Sequence, residues 1–314
     1  MIELQDLSCQ FGESRAVDRI NLTINTGELC VLVGRSGCGK STTLRLINRL
    51  IPRSSGQIRI DDQDVEQFDA RQLRLGMGYA IQGTGLFPHW TVARNIAMVP
   101  RLLGWSRQRI DTRIRELLEL FDLDPATAAR YPHQLSGGQA QRVGVARSLA
   151  ADPPILLMDE PFGALDAITR EALQNEMLRI QSTLRKTVVF VTHDIDEALK
   201  LGDRIAVMDQ GQILQHDTPS TLLREPASEF VDRLFGTGDR GLKLASLYPV
   251  STVMTPTKDA VSTSMTTIPH DESVRQALSL MVWHDTHALT VMDDRREPIG
   301  VVRWDQLAGG DRNA

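Results

Sequence analysis

The sequence predicts an α/β protein built on a mainly parallel sheet, and three observations predict it. Five short apolar runs, LCVLVG (29–34), MGYAIQ (77–82), PILLMDE (154–160), TVVFVTH (187–193) and RIAVMD (204–209), read as strands buried on both faces. Helical stretches such as 40–50 and 169–184 separate most of them, and strand–helix alternation builds parallel sheets. The first run ends in the glycine-rich GRSGCGKS (34–41), directly before a helical stretch.

In chain order, IELQDLS and RINLTI alternate with period two and predict a small antiparallel sheet at the front. Strand signals thin out between about 86 and 150. There RQRIDTRIRELLELFDL places Ile110, Ile114, Leu117, Leu118 and Phe121 at helical spacing, which predicts a helical insertion. FGTGDRG (235–241) reads as a turn-rich linker. Beyond it the sequence predicts an irregular segment, a helix over 274–283, strands over 288–292 and 299–303, and a short helix. The expected domains are 1–235, a linker at 236–241, and a small α+β domain at 242–314.

The 314 residues carry a net charge of −5 and only three cysteines, Cys9, Cys30 and Cys38, at unrelated spacings. The acidic balance argues against a nucleic-acid protein, and the cysteines against a disulfide framework or zinc motif. No run approaches the ~18 apolar residues that span a bilayer, and the N-terminus lacks a basic segment followed by a long apolar one. The expectation is a soluble, cytoplasmic chain that can still sit against a membrane protein.

The chemistry begins at the phosphate loop. Gly34, Arg35, Ser36, Gly37, Cys38 and Gly39 wrap a backbone that can approach phosphate oxygens. Lys40 can reach the β- and γ-phosphates of a nucleotide. Ser41 can ligate Mg²⁺, with Thr42 as a neighbouring hydroxyl. Cys38 sits inside the loop, where Lys40 and the helix start are expected to favour its thiolate. An acid just past a buried strand sits beside such a loop, so Asp159 is a candidate Mg²⁺ holder and Glu160 a candidate for orienting the attacking water. A helix-capping acidic pair is the alternative. His193 and Gln82 end two further runs. Ser136-Gly137-Gly138-Gln139 opens another helical stretch, a second anion-grade helix start.

This order of motifs resembles the ABC-type ATPases: the phosphate loop, Gln82, LSGGQ (135–139), ILLMDE, GALD (163–166) and His193. The resemblance covers about residues 1–235. It implies a P-loop ATPase fold with an N-terminal antiparallel β subdomain and a helical insertion. It implies ATP and Mg²⁺ as ligands, with Ser41, Gln82 and Asp159 around the ion and Glu160 and His193 at the chemistry. Phe11 is similar to the aromatic that stacks on adenine, an ordinary strand-end aromatic being the alternative. Two chains are expected to pack head to tail, so that Ser136–Gln139 of one cap the γ-phosphate held by the other, with Asp166 in the loop between them. That arrangement explains two anion-grade loops in one chain.

The stretch GLFPHWTVARNIAMVP, with YPHQLSGGQ and PFGALDAITR, is similar to importers of quaternary-amine osmolytes such as glycine betaine, choline and carnitine. Ala140 and Ala167 depart from the usual Gln and Pro. The resemblance implies permease subunits coupled through Gln82, an extracytoplasmic solute-binding protein, and a place on the cytoplasmic face of the inner membrane. An importer of another small polar solute is the alternative, and a soluble ABC ATPase outside transport the remoter one. The segment from 265 resembles a single CBS motif, a regulatory or packing appendage.

Overall fold

The structure is a computed structural model, and it describes residues 1–163, 165–236, 238–256 and 266–308. Residue 164 of the GALD run and residue 265, where the CBS-like stretch begins, lie outside the described residues. The chain divides into two compact units, Met1–Thr218 and Pro219–Ala314.

The first unit opens with β1 (Ile2–Phe11) and β2 (Ser14–Ile24). After β3 (Leu29–Gly34) and α1 (Lys40–Ile47) come β4 (Ser55–Ile60) and β5 (Gln63–Asp64). One sheet has the order β2-β1-β4-β5 and is antiparallel throughout. Its period-two pattern is what a half-buried antiparallel strand needs, with Ile2, Leu4, Ile20, Leu22 and Ile24 turned into the core.

Next come α2 (Ala70–Leu75), β6 (Met77–Ala80), α3 (Val92–Ile96), α4 (Met98–Leu102), α5 (Arg107–Leu120) and α6 (Gly137–Leu149). The unit continues with β7 (Ile155–Asp159), α7 (Ala167–Leu184), β8 (Thr187–Val191), α8 (Ile195–Leu201), β9 (Arg204–Asp209) and β10 (Gln212–Asp217). The second sheet has the order β10-β9-β3-β8-β7-β6. All its pairs are parallel except β9–β10. Every residue of β3, β7 and β8 is buried, which is why these strands read as unbroken apolar runs. β6 stops at Ala80, so Gln82 stands in the loop two residues beyond it and not at the strand end expected.

Within the sheet, Cys30 and His216 are held on one face. Burial pushes the Cys30 thiol up and lowers the His216 ring to about 4, with Arg204 adding to the second effect. Both are uncharged at neutral pH.

The second unit starts earlier than the expected linker. It holds α9 (Pro219–Arg224), α10 (Glu229–Leu234) and α11 (Arg240–Ser246). Residues 240–241 of the expected linker are thus helical. α11 packs on α9, and Ser220 and Tyr248 share a hydrogen bond of 3.1 Å, so the stretch beginning at residue 219 is tied to residues 240–248. Then come β11 (Thr255–Pro256), β12 (Thr267–Pro269), α12 (Val274–Trp283), β13 (Ala288–Met292), β14 (Pro298–Arg303) and α13 (Trp304–Ala308). The sheet order is β11-β14-β13-β12. Val250, Ile268, Ala277, Met281, Leu289, Val291 and Val302 form a core of its own.

Candidate active site

The phosphate loop joins β3 to α1. Two of its glycines are required by the backbone around them. A Cβ on Gly34 would lie 2.0 Å from the Met208 carbonyl oxygen, and one on Gly39 2.4 Å from that of Ala16. Gly39 also holds φ 109° as the cap of α1. Arg35, Ser36 and Gly37 are exposed, while Lys40 is buried at the loop's centre. Lys40 Nζ donates to the Gly34 and Arg35 carbonyls at 2.8 and 3.0 Å. An ammonium held inside a ring of backbone is suited to a polyanion laid over it. Ser41 and Thr42 are half-buried on the first turn of α1.

Cys38 corrects an expectation. It is buried, 3.8 Å from Lys40 Nζ, and burial raises its thiol above the ordinary value despite the lysine. Desolvation outweighs the nearby charge, so the loop cysteine is held as thiol and not as thiolate.

Ser41 Oγ donates to Asp159 Oδ1 at 2.7 Å, joining the helix after β3 to the end of β7. Asp159 is buried, and burial raises its carboxyl against the opposing pull of Ser41, Arg45 and Lys40. Glu160 comes next, in the left-handed region at φ 46°, with its N–H bonded to the Val191 carbonyl at 3.0 Å. A non-glycine residue there is strained, and such strain concentrates where a side chain must be aimed. Its carboxylate lies between two groups. Gln82 Nε2 donates to Oε2 at 3.2 Å, and His193 Nδ1 stands 3.3 Å from Oε1. Three loops, after β6, β7 and β8, thus converge on one carboxylate.

Ser136 caps α6. Its Oγ accepts from Gln139 N at 3.2 Å, and Gln139 Oε1 accepts from Ser136 N at 3.1 Å, a reciprocal capping box. Gly137 has no atom within 4 Å of an added Cβ, whereas Gly138 is set against Thr169 at 2.6 Å. Asp166 caps α7 by accepting from Thr169 N at 3.0 Å, and that bond leads the causes that lower its carboxyl. Phe11 is exposed at the tip of the β1–β2 hairpin, where it pairs with Ser14; Ala16 of the same hairpin abuts Gly39.

Three positioning residues were missed in the sequence. Gln141 on α6 donates to the Pro161 carbonyl, one residue past Glu160. Arg147, also on α6, donates to the Gly85 carbonyl at 2.6 Å, in the loop that carries Gln82. Asn95 on α3 is fully buried and bonds Phe87, Trp90 and Thr91. Their signal was a polar residue on an otherwise apolar helix face. α6 therefore ties its exposed start to two of the three loops that converge on Glu160.

Comparison with known proteins agrees. Residues 17–163 match the ABC transporter family model. The chain is 48% identical over 307 residues to the glycine betaine uptake system ATP-binding protein YehX of Escherichia coli (strain K12), covering 98% of this chain and 99% of that protein. It is 48% identical to the osmoprotectant import ATP-binding protein OsmV of Salmonella typhimurium (strain LT2), over 96% of this chain and 79% of that one. Among solved structures, a dimeric ATP-binding cassette in a post-hydrolysis state with ADP and Pi superposes with a TM-score of 0.63 at 33% identity, covering 70% of this chain and 99% of that one. Phosphate loop, paired acids and capped α6 in this arrangement, with 48% identity over nearly the full chain, place the chain in the ABC transporter family as one of its ATP-binding, ATP-hydrolysing proteins.

Proposed function

We propose that the chain is the ATPase subunit of an importer of quaternary-amine osmoprotectants, of the glycine betaine, choline or carnitine type. The observation that carries the chemistry is Glu160, aimed by a strained backbone and held between Gln82 and His193 beside the Ser41–Asp159 pair. The similarity to osmoprotectant-import proteins, extending over 96–98% of the chain, supports the solute class.

Lys40 and the N–H groups of residues 34–41 bind the β- and γ-phosphates. The Ser41 hydroxyl and Asp159 carboxylate are hard oxygen donors 2.7 Å apart, a set suited to Mg²⁺, with Gln82 bonded to the neighbouring Glu160. Bound there, the ion would neutralise phosphate charge. Glu160 accepts a proton from the water at its carboxylate, and His193 and Gln82 hold that carboxylate in line. Phe11, exposed at the tip of the hairpin whose Ala16 abuts Gly39, stacks on the adenine.

The Ser136–Gln139 start of α6, exposed at Ser136 and Gly137, caps the nucleotide of a second copy, and Asp166 lies in the adjoining loop. Among the described residues no helix is long and apolar enough to cross a membrane. The solute passes through separate permease subunits, and the chain works against their cytoplasmic side with an extracytoplasmic solute-binding protein supplying the solute. Residues 242–314 act as a CBS-like regulatory element.

The experiment is radiolabelled uptake in a strain lacking its other betaine systems, with and without this gene, at high osmolarity. Loss of glycine betaine, choline or carnitine uptake is expected. Unchanged uptake of all three, with loss of another polar solute, would overturn the solute class and leave the ATPase reading intact.

A further inference from the structure

Away from the phosphate loop, three donors converge on the β3–β9–β10 side of the parallel sheet. A carboxylate oxygen of Glu28, Cys30 Sγ and a ring nitrogen of His216 all lie within 4.8 Å of one another. Cys30 Sγ and His216 Nε2 are 3.8 Å apart.

The register explains how. Cys30 pairs with Arg204 on β9, and His216 on β10 pairs with Ala206. Paired residues, and residues two apart, share a sheet face. Cys30, Arg204, Ala206 and His216 therefore share one face, and Glu28 joins it two residues before Cys30. Ala206 is the small residue between them. Its methyl leaves room for the imidazole to cross β9 and meet the thiol.

A second observation points to an occupant. Glu28 is more than nine-tenths buried. Its Oε2 accepts from Asn25 N and Nδ2 at 3.1 and 2.7 Å, but Oε1 is buried with no hydrogen-bond partner. A buried carboxylate oxygen without a partner is costly, and a cation removes the cost.

We propose that Glu28, Cys30 and His216 form a site for one borderline divalent cation of the Zn²⁺ class, distinct from the nucleotide's ion. One oxygen, one sulfur and one imidazole nitrogen suit such a cation and not Mg²⁺. Binding releases the Cys30 thiol proton to solvent. The carboxylate and thiolate then balance the divalent charge, so Arg204, which donates to the His216 carbonyl at 2.8 Å, faces a neutral cluster. The ion staples β10 to β3, the strand that runs into the phosphate loop.

The rival occupant is a buried water between Glu28 Oε1 and Arg204 Nε, which also lacks a hydrogen-bond partner. The test titrates the full-length protein with Co²⁺ in excess Mg²⁺. One equivalent per chain and a sulfur-to-cobalt charge-transfer band are expected. Cys30→Ser should abolish the band. His216→Gln, at a half-buried position on an edge strand, should weaken Co²⁺ binding about tenfold or more. Cys9→Ser should keep both. No band at saturating Co²⁺, or one that survives Cys30→Ser, would overturn the metal and leave the water.

Discussion

Glu160 is the residue on which three loops meet, so its removal tests the site most directly. Glu160→Gln keeps the shape and the contacts to Gln82 and His193 but loses the proton acceptor. Nucleotide binding should persist while hydrolysis falls by about 10²–10⁴-fold; a rate within twofold of wild type in a phosphate-release assay would remove Glu160 from the chemistry. Asp159 makes the opposite kind of prediction. Its folded-state carboxyl holds a proton more tightly than the unfolded chain does, because burial penalises the charge. The ionised form therefore costs stability above the raised value, and the cost disappears as pH falls through it. Asp159→Asn keeps an acceptor for Ser41 and should raise the nucleotide-free melting temperature at neutral pH by about 2–4 °C per kcal/mol relieved. The gain should shrink on acidification, and Mg²⁺-dependent hydrolysis should be lost. A variant that melts lower at neutral pH would show that Asp159 is well compensated in the folded chain.

At the scale of elements, the buried polar groups hold the loops in place. Asn95 bonds the backbone of Phe87, Trp90 and Thr91 from inside α3. Asn95→Ala leaves those groups without their partner, at about 1–3 kcal/mol. The expected result is a lower melting point and faster proteolysis between 87 and 91, and unchanged cleavage there would deny the loop its anchor. This is also where the sequence was least legible. β3 and β9 have the expected bounds, because a strand buried on both faces admits little but apolar residues. The phosphate loop and paired acids were legible because their chemistry tolerates few residue types. Asn95, Gln141 and Arg147 were not, since a polar residue on a helix does not announce which distant carbonyl it serves. Cys38 was misread because its charge neighbours are close in sequence, whereas the burial that outweighs them comes from the fold. The division at Thr218 was not legible, because a turn-rich stretch at 235–241 looks like a linker even where helices of one unit stand on either side of it.

At the scale of the molecule, a shared site can be tested by complementation. Gly137 opens onto clear space, and an aspartate on the first turn of a helix does not harm it. Gly137→Asp should therefore fold, yet repel a partner's phosphate. Mixed with Lys40→Ala chains, each inactive alone, it should recover about a quarter of the wild-type rate, since half the dimers are mixed and each has one intact site. No recovery in any mixture, with heterodimers shown to form, would leave the two-chain site without support. A chain ending at Thr218 keeps both sheets of the first unit and should melt cooperatively and bind nucleotide. One ending at Gly238 retains α9 without α11 and should bind more of a hydrophobic dye; equal dye binding would count against the boundary at 218. The order of the parallel sheet has a consequence for the chain as it is made. β3 finishes at Gly34, but its neighbours β8 and β9 begin only at Thr187 and Arg204. At a ribosome's 5–20 residues per second, a fully apolar strand waits roughly 8–30 s for the first of them. Nucleotide can bind only after more than half the chain has emerged, and the newborn protein depends on whatever shields β3 until then.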